Sequence, residues 1–283
     1  LKGIEFNADP LKDYRDVASQ GLYSGQMLSQ NYGGGTANIE FEALTGFSME
    51  LLNPQMTTPY TMMVSKEASF PSLVSTLKAQ NYQTTAIHPY NTSMYKRKDV
   101  YHTFGFDQFL DEKTMKYQET LSKGGYISDE SAFAEVLDLL SEDPSQPQFV
   151  HLVTMQTHMP YTNKYSDSAY QLVDDNNKGN GIENYAQDIA YTSKALLTLM
   201  GEISELDRPT VVVFWGDHLP SIYSDQVLEE NEDVTAHLTE YFVYDSREDS
   251  PTIKQTVSPF YFPSLVGESS GIQTTGFMAL LND

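Results

Sequence analysis

Three glycines, Gly33-Gly34-Gly35, precede Thr36, and a β-rich run ending at Trp215 precedes Gly216, Asp217 and His218. A threonine hydroxyl becomes a useful nucleophile only when a base takes its proton or a cation lowers its pKa. A carboxylate and an imidazole delivered together after a strand are what a metal site for phosphate-ester chemistry needs. Two further strand ends carry a histidine, His88 before Pro89 and His158 two residues before Pro160. Tyr95, Lys96, Arg97 and Lys98 cluster positive charge in a strongly acidic chain. Each feature has a plainer reading. Thr36 is also an ordinary helix N-cap, Asp217 a cap with His218 packing behind it, and the basic cluster a solvated surface. The glycine run is not a P-loop, since it lacks the Gly-Lys-Ser/Thr ending.

These residues need elements to position them. Five β-branched or aromatic residues, Val211 to Trp215, predict a strand buried on both faces, and 82–87 and 149–155 predict two more. Helices are predicted over 11–20, with Tyr14, Val17 and Ala18 on one side, and over 37–44, so that Thr36 sits at a helix N-terminus where anions are favoured. Further helices are expected over 71–80, opened by Pro71, over 129–140, and over 184–203, the longest. The stretch 22–32 looks irregular, 45–66 and 90–102 read as loop or polar surface, and 163–181 as a polar insertion. The stretch 221–236 is acidic and exposed, 241–243 forms a last strand, and 258–266 is a packing segment or short helix. Alternating strand and helix predicts a three-layer α/β/α sandwich with a mainly parallel sheet, as one domain over 1–283. Thr36, His88, His158 and the Asp217–His218 pair would then meet at one sheet edge, where such folds bind ligands.

Composition narrows the partners. The chain has 39 acidic and 17 basic residues, a net charge of −22, which argues against nucleic acid and against electrostatic adhesion to anionic lipid. It has no cysteine, which excludes disulfides, thiolate metal sites and a cysteine nucleophile. No apolar run reaches the roughly 18 residues of a membrane span, and no signal-peptide pattern is present. Because it starts at Leu1, the chain is expected to be a processed or excised piece of a longer protein.

The segments 33–42, 151–161 and 214–220, in that order, resemble the lipoteichoic acid synthase branch of the alkaline phosphatase/sulfatase superfamily, most nearly its Gram-positive phosphoglycerol transferases. The resemblance implies that Thr36 is the nucleophile and a metal ligand, and that Asp217 and His218 are further ligands. It implies that His158 contacts the glycerol-phosphate headgroup and that Arg97 holds the phosphate by paired hydrogen bonds. Tyr95 stands where some members have tryptophan, and His88 has a supporting place near the substrate. The family also supplies a glutamate ligand after a first core strand. No such strand is found here, so the domain is expected to be N-terminally truncated and to lack that ligand.

The implied activity is metal-dependent transfer of glycerol phosphate from phosphatidylglycerol to a glycolipid or polyglycerolphosphate (teichoic acid) acceptor, through a threonine-linked intermediate. Carboxylate, imidazole and hydroxyl ligands suit Mn²⁺, Zn²⁺ or Mg²⁺, and the resemblance favours Mn²⁺. The implied setting is the outer face of a Gram-positive cell membrane, with anchoring through segments absent from this chain. Rival readings are a phosphoethanolamine transferase or ester hydrolase of the superfamily, and a non-catalytic glycan-binding domain. Sulfatase action is disfavoured, because those enzymes use a modified cysteine or serine.

Overall fold

The computed structural model describes residues 1–143, 145–173 and 181–281. In chain order the elements are α1 (Lys12–Ala18), β1 (Tyr23–Leu28), α2 (Thr36–Thr45), α3 (Pro59–Met62), α4 (Leu73–Lys78), β2 (Gln83–His88), α5 (Arg97–Phe104) and β3 (Gln108–Asp111). There follow α6 (Asp129–Ser141), β4 (Gln148–Leu152), α7 (Ile182–Ser204), β5 (Val211–Trp215), α8 (Asp225–Glu229), β6 (Leu238–Asp245), β7 (Ile253–Val257), α9 (Phe262–Ser270) and α10 (Gly276–Leu280).

The strands form two sheets, ordered β5-β6-β1-β7 and β3-β2-β4. The second is wholly parallel, whereas β6 runs antiparallel to both β5 and β1 in the first. Helices cover both faces. On one, α2 spans the two sheets: Ala37 and Phe41 pack with Ala86 of β2, and Ile39 and Ala43 with Tyr241 and Val243 of β6. On the other, Tyr14, Phe133, Leu196 and Met200 from α1, α6 and α7 pack against Phe242, with Leu152 and Phe214 beside them. β5 alternates between these layers, Val211, Val213 and Trp215 toward α9 and Val212 and Phe214 toward α7. That is the α/β/α sandwich expected from a continuously apolar strand.

Among the described residues, β4 and β5 each end a sheet, and both line one cleft of about 1150 Å³. Its walls include Val150, Leu152, Val211 and Val213, and it reaches Thr36, Asp217 and His218 beyond the carboxyl end of β5. No helix among the described residues is long and apolar enough to cross a membrane.

Several sequence expectations are corrected. The stretch 22–32 holds β1, an interior strand whose Gly25 has φ +149° and lies so close to Gln255 of β7 that a Cβ would meet its carbonyl oxygen at 2.1 Å. Pro71 does not open α4; Ser72 caps it, its side chain and that of Ser75 exchanging hydrogen bonds with each other's backbone. The polar stretch 90–102 contains the start of α5, and β3 follows it. β6 is not the last strand, since β7 adds to β1 in parallel. Part of the expected polar insertion, 174–180, lies outside the described residues, as does Pro144.

Candidate active site

Thr36 is the first residue of α2, and no side chain caps that helix. Gly35 before it adopts φ +91°, and a Cβ there would meet the Asn31 side chain at 2.4 Å. Gly33 is likewise left-handed, at φ +75°, and its N–H donates to the Leu219 carbonyl at 2.8 Å. The glycine loop is thereby tied to the turn that carries His218. Gly34 faces open space, so two of the three glycines are explained by backbone conformation.

The Thr36 hydroxyl donates to Asp217 Oδ2 at 2.6 Å and lies 3.4 Å from His218 Nε2. Asp217 Oδ2 and His218 Nε2 are 3.2 Å apart. The Asp217 Oδ1 atom accepts the His218 backbone N–H at 2.9 Å. His218 Nδ1 lies 3.1 Å from the Leu219 carbonyl, which can only accept, so Nδ1 carries a proton. In a neutral ring the Nε2 lone pair then faces the carboxylate oxygen. Two lone pairs at that distance repel unless a proton or a cation lies between them. The donor set therefore fits a cation, with Thr36 Oγ1, Asp217 Oδ2 and His218 Nε2 as candidate ligands. Among the described residues no three His, Cys, Asp or Glu side chains gather to hold a metal; here two of those types meet a hydroxyl.

The other candidates line the same cleft but are held differently. Arg97 is buried, with its side chain 1% exposed, and its Nη2 is ion-paired with Glu40. Its Nε donates to the Tyr101 hydroxyl at 3.2 Å. Its Nη1, which carries two N–H groups, has no partner among the described residues. Tyr95 lies with its ring centre 5.2 Å from the Arg97 guanidinium carbon. Tyr95 and Lys96 are both left-handed, at φ +54° and +53°, conformations costly for residues with a Cβ. His88 is buried, its Nδ1 donating to the Val153 carbonyl at 2.9 Å. Burial, then the Arg97 charge, push its pKa down to about 4, so it is neutral at pH 7. His158 Nδ1 donates to the Met159 carbonyl at 2.9 Å, and Tyr126 stands edge-on to its ring.

Sequence reasoning missed the buried network around Glu40. That carboxylate receives Arg97, the Tyr101 hydroxyl at 2.8 Å and the Tyr60 hydroxyl at 3.2 Å, with His151 Nε2 at 3.5 Å. Burial acts to raise its pKa, but Arg97, His151 and Tyr101 outweigh it and hold the carboxyl below its usual range. A signal was present: Glu40 and Glu42 are interleaved with Ala37, Ile39, Phe41, Ala43 and Leu44. A helix apolar on all sides is buried, and a carboxylate inside it needs a partner.

The architecture and the Thr36 cluster together define an α/β/α sandwich of the alkaline phosphatase/sulfatase type. The chain belongs to the sulfatase family, whose model matches residues 2–271. It is 34% identical over 225 residues to a Rhizobium meliloti protein assigned to cyclic β-1,2-glucan modification, a match covering 78% of this chain and 34% of that one. It is 26% identical over 152 residues to the lipoteichoic acid synthase of Staphylococcus saprophyticus, covering 53% of this chain and 23% of the synthase. The chain thus spans about a third or less of these relatives' lengths. Among solved structures, the Streptococcus pyogenes phosphoglycerol transferase GacH, in complex with sn-glycerol-1-phosphate, superposes with a TM-score of 0.86. The identity there is 25%, and the alignment covers 99% of this chain and 73% of GacH.

Proposed function

We propose that the chain carries the catalytic threonine of a metal-dependent phosphoglycerol transferase. The observation behind this reading is the 2.6 Å hydrogen bond from Thr36 at the α2 N-terminus to Asp217, with His218 beside it. The Thr36 oxygen attacks the phosphorus of phosphatidylglycerol as its proton passes to Asp217 Oδ2. A P–O bond to Thr36 forms, the P–O bond to diacylglycerol breaks, and diacylglycerol leaves with the proton that Thr36 gave up. An acceptor hydroxyl then attacks the glycerophosphoryl-threonine, forming a P–O bond, and its proton passes to Thr36 as the P–O bond to Thr36 breaks. The uncapped backbone N–H groups at the start of α2 favour the phosphoryl oxygens. A divalent cation, Mn²⁺ by family resemblance, supplies charge neutralisation when held by Thr36, Asp217 and His218.

In this reading, His158 and Tyr95 bind the headgroup, Arg97 contributes its one unpartnered Nη1, and His88 supports the wall as a neutral ring. The cleft between β4 and β5 takes a further parallel strand from outside residues 1–283. Its carboxyl end would bring an additional carboxylate beside Asp217. The acceptor is a glycolipid or teichoic acid hydroxyl. The relative assigned to glucan modification favours, as a second reading, a hydroxyl of a glycan chain. The site works on the outer face of the cell membrane, with anchoring segments outside this chain.

The test is to incubate the full-length protein and Mn²⁺ with headgroup-labelled phosphatidylglycerol and to map label on Thr36 by mass spectrometry. Phosphatidylethanolamine runs in parallel, and teichoic acid and glycan acceptors are offered separately. Label from the glycerol lipid alone supports the assignment. Label from ethanolamine instead, or turnover surviving Thr36→Ala, overturns it.

A further inference from the structure

A second buried ion pair lies under the loop that carries His158. Lys164 Nζ is 2.7 Å from Asp188 Oδ2 of α7, with side-chain exposures of only 9% and 0%. In a chain of 39 acidic and 17 basic residues, one of the few cations is thus spent away from the surface. The same ammonium donates to the Gln156 carbonyl and, at 3.2 Å, to the His158 carbonyl. The ammonium thus makes two hydrogen bonds to backbone carbonyls and an ion pair with Asp188 Oδ2, an oxygen that accepts no hydrogen bond of its own. Tyr165 donates to the other Asp188 oxygen at 2.6 Å, so the carboxylate is itself oriented. Tyr126 and Tyr161 face the ammonium with ring centres 5.9 Å and 5.8 Å away. Tyr126 also donates to the Met159 carbonyl at 2.9 Å, and Tyr161 to the Thr157 carbonyl at 3.0 Å.

The carbonyls of Gln156 and His158 both turn toward one buried point, where their oxygens repel unless a cation joins them. His158 is thereby tied at its carbonyl to the buried ammonium. Its Nδ1–H is committed to the Met159 carbonyl, and Nε2 is left as the nitrogen open to a ligand in the cleft that His158 lines.

We propose that Lys164, oriented by Asp188, is a positioning residue that fixes the loop at Gln156–His158 and thereby the tautomer and direction of the His158 ring. The proposal rests on the reading of His158 as a headgroup-binding residue. Lys164 and Asp188 touch no reacting atom; they act through His158.

The test uses the full-length protein and the variant Lys164→Met/Asp188→Asn, which removes both charges and leaves neither buried alone. Two readouts are taken: the His158 ring tautomer by ¹⁵N NMR, and binding of sn-glycerol-1-phosphate by calorimetry. In the parent protein the Nδ1–H form is expected to dominate. The variant is expected to show a tautomer mixture and on the order of tenfold weaker binding, since small misplacements of a positioned group cost that much or more. Added to His158→Ala, the same pair of changes is expected to weaken binding no further. An unchanged tautomer in the folded variant overturns the proposal, and so does an equal loss of binding in the His158→Ala background. If the parent protein does not bind sn-glycerol-1-phosphate, the functional reading fails, and the tautomer still decides the clamp. Should the double variant not fold, Lys164→Arg is read in the same way. Its planar fork cannot keep the two carbonyl hydrogen bonds together with the ion pair to Asp188, so a tautomer shift is again expected, and none overturns the proposal.

Discussion

Replacing Glu40 by glutamine removes the charge that holds Arg97 inside the protein. The two side chains are 3% and 1% exposed, so neither gains a useful hydration shell when its partner is neutralised. Breaking a buried pair from one side costs about 3–5 kcal/mol, because the remaining charge stays desolvated. For Glu40→Gln the upper part of that range is expected, since the glutamine oxygen can still accept from Nη2 but carries no countercharge, while Nη1 is already unpartnered. Arg97→Met should cost less, near 3 kcal/mol on the same scale, because Glu40 retains the Tyr60 and Tyr101 hydroxyls. The double variant Glu40→Gln/Arg97→Met removes both charges and should lose no more than about 2 kcal/mol, far less than the two single losses together. Urea unfolding of all four proteins measures this, and the melting temperature of Glu40→Gln should fall by roughly 6–10 °C. Single losses below about 1 kcal/mol, or a double variant that simply adds them, would refute the reasoning, because they would mean that water reaches the pair. The same set separates the two roles of Arg97: if Nη1 binds phosphate, Arg97→Met weakens sn-glycerol-1-phosphate binding even where stability is restored by the second change.

Thr36→Ala should abolish lipid-dependent labelling while the fold holds to within about 1 kcal/mol, because a partly exposed hydroxyl is removed; circular dichroism melts and the labelling assay check both halves. Mn²⁺ at a hundredfold excess over its Kd should stabilise the protein by about 2.7 kcal/mol, and EDTA should reverse this; a melting shift that survives Asp217→Ala would place the ion elsewhere. Burial pushes the Glu42 carboxyl up to about 7, outweighing the hydrogen bond that it accepts from the Met49 N–H. A raised acid pKa means that its stability is whole below the ordinary value of 4.5 and is lost as pH climbs through about 7. The loss by pH 8 should be about 3 kcal/mol, and Glu42→Gln should flatten it; equal pH dependence of urea midpoints in the two proteins would contradict the assignment.

Much of this protein was legible in local sequence because the relevant forces act locally. Val211–Trp215 is apolar at every position, so it had to be a strand covered on both faces, and the turn after it had to present Asp217 and His218. The glycines before Thr36 likewise dictated a helix start with free N–H groups. Where periodicity was weak, the sequence misled. β1 reads Tyr-Ser-Gly-Gln-Met-Leu, and it becomes a strand only because β6 and β7 supply partners on both sides.

The composition, the charge balance, the order of the strand ends and the family signature were therefore properties of the sequence alone. Tertiary structure decided which charges are tools and which are structural. Arg97 lies in a run of basic residues that looks like surface, yet folding puts its guanidinium against Glu40, 57 residues away. Lys164 is one lysine in a polar stretch, and only the approach of α7 makes it the counter-ion of Asp188. The reason is physical: a desolvated charge is governed by whichever partner the fold brings within a few ångströms, and that distance is not written in the spacing along the chain.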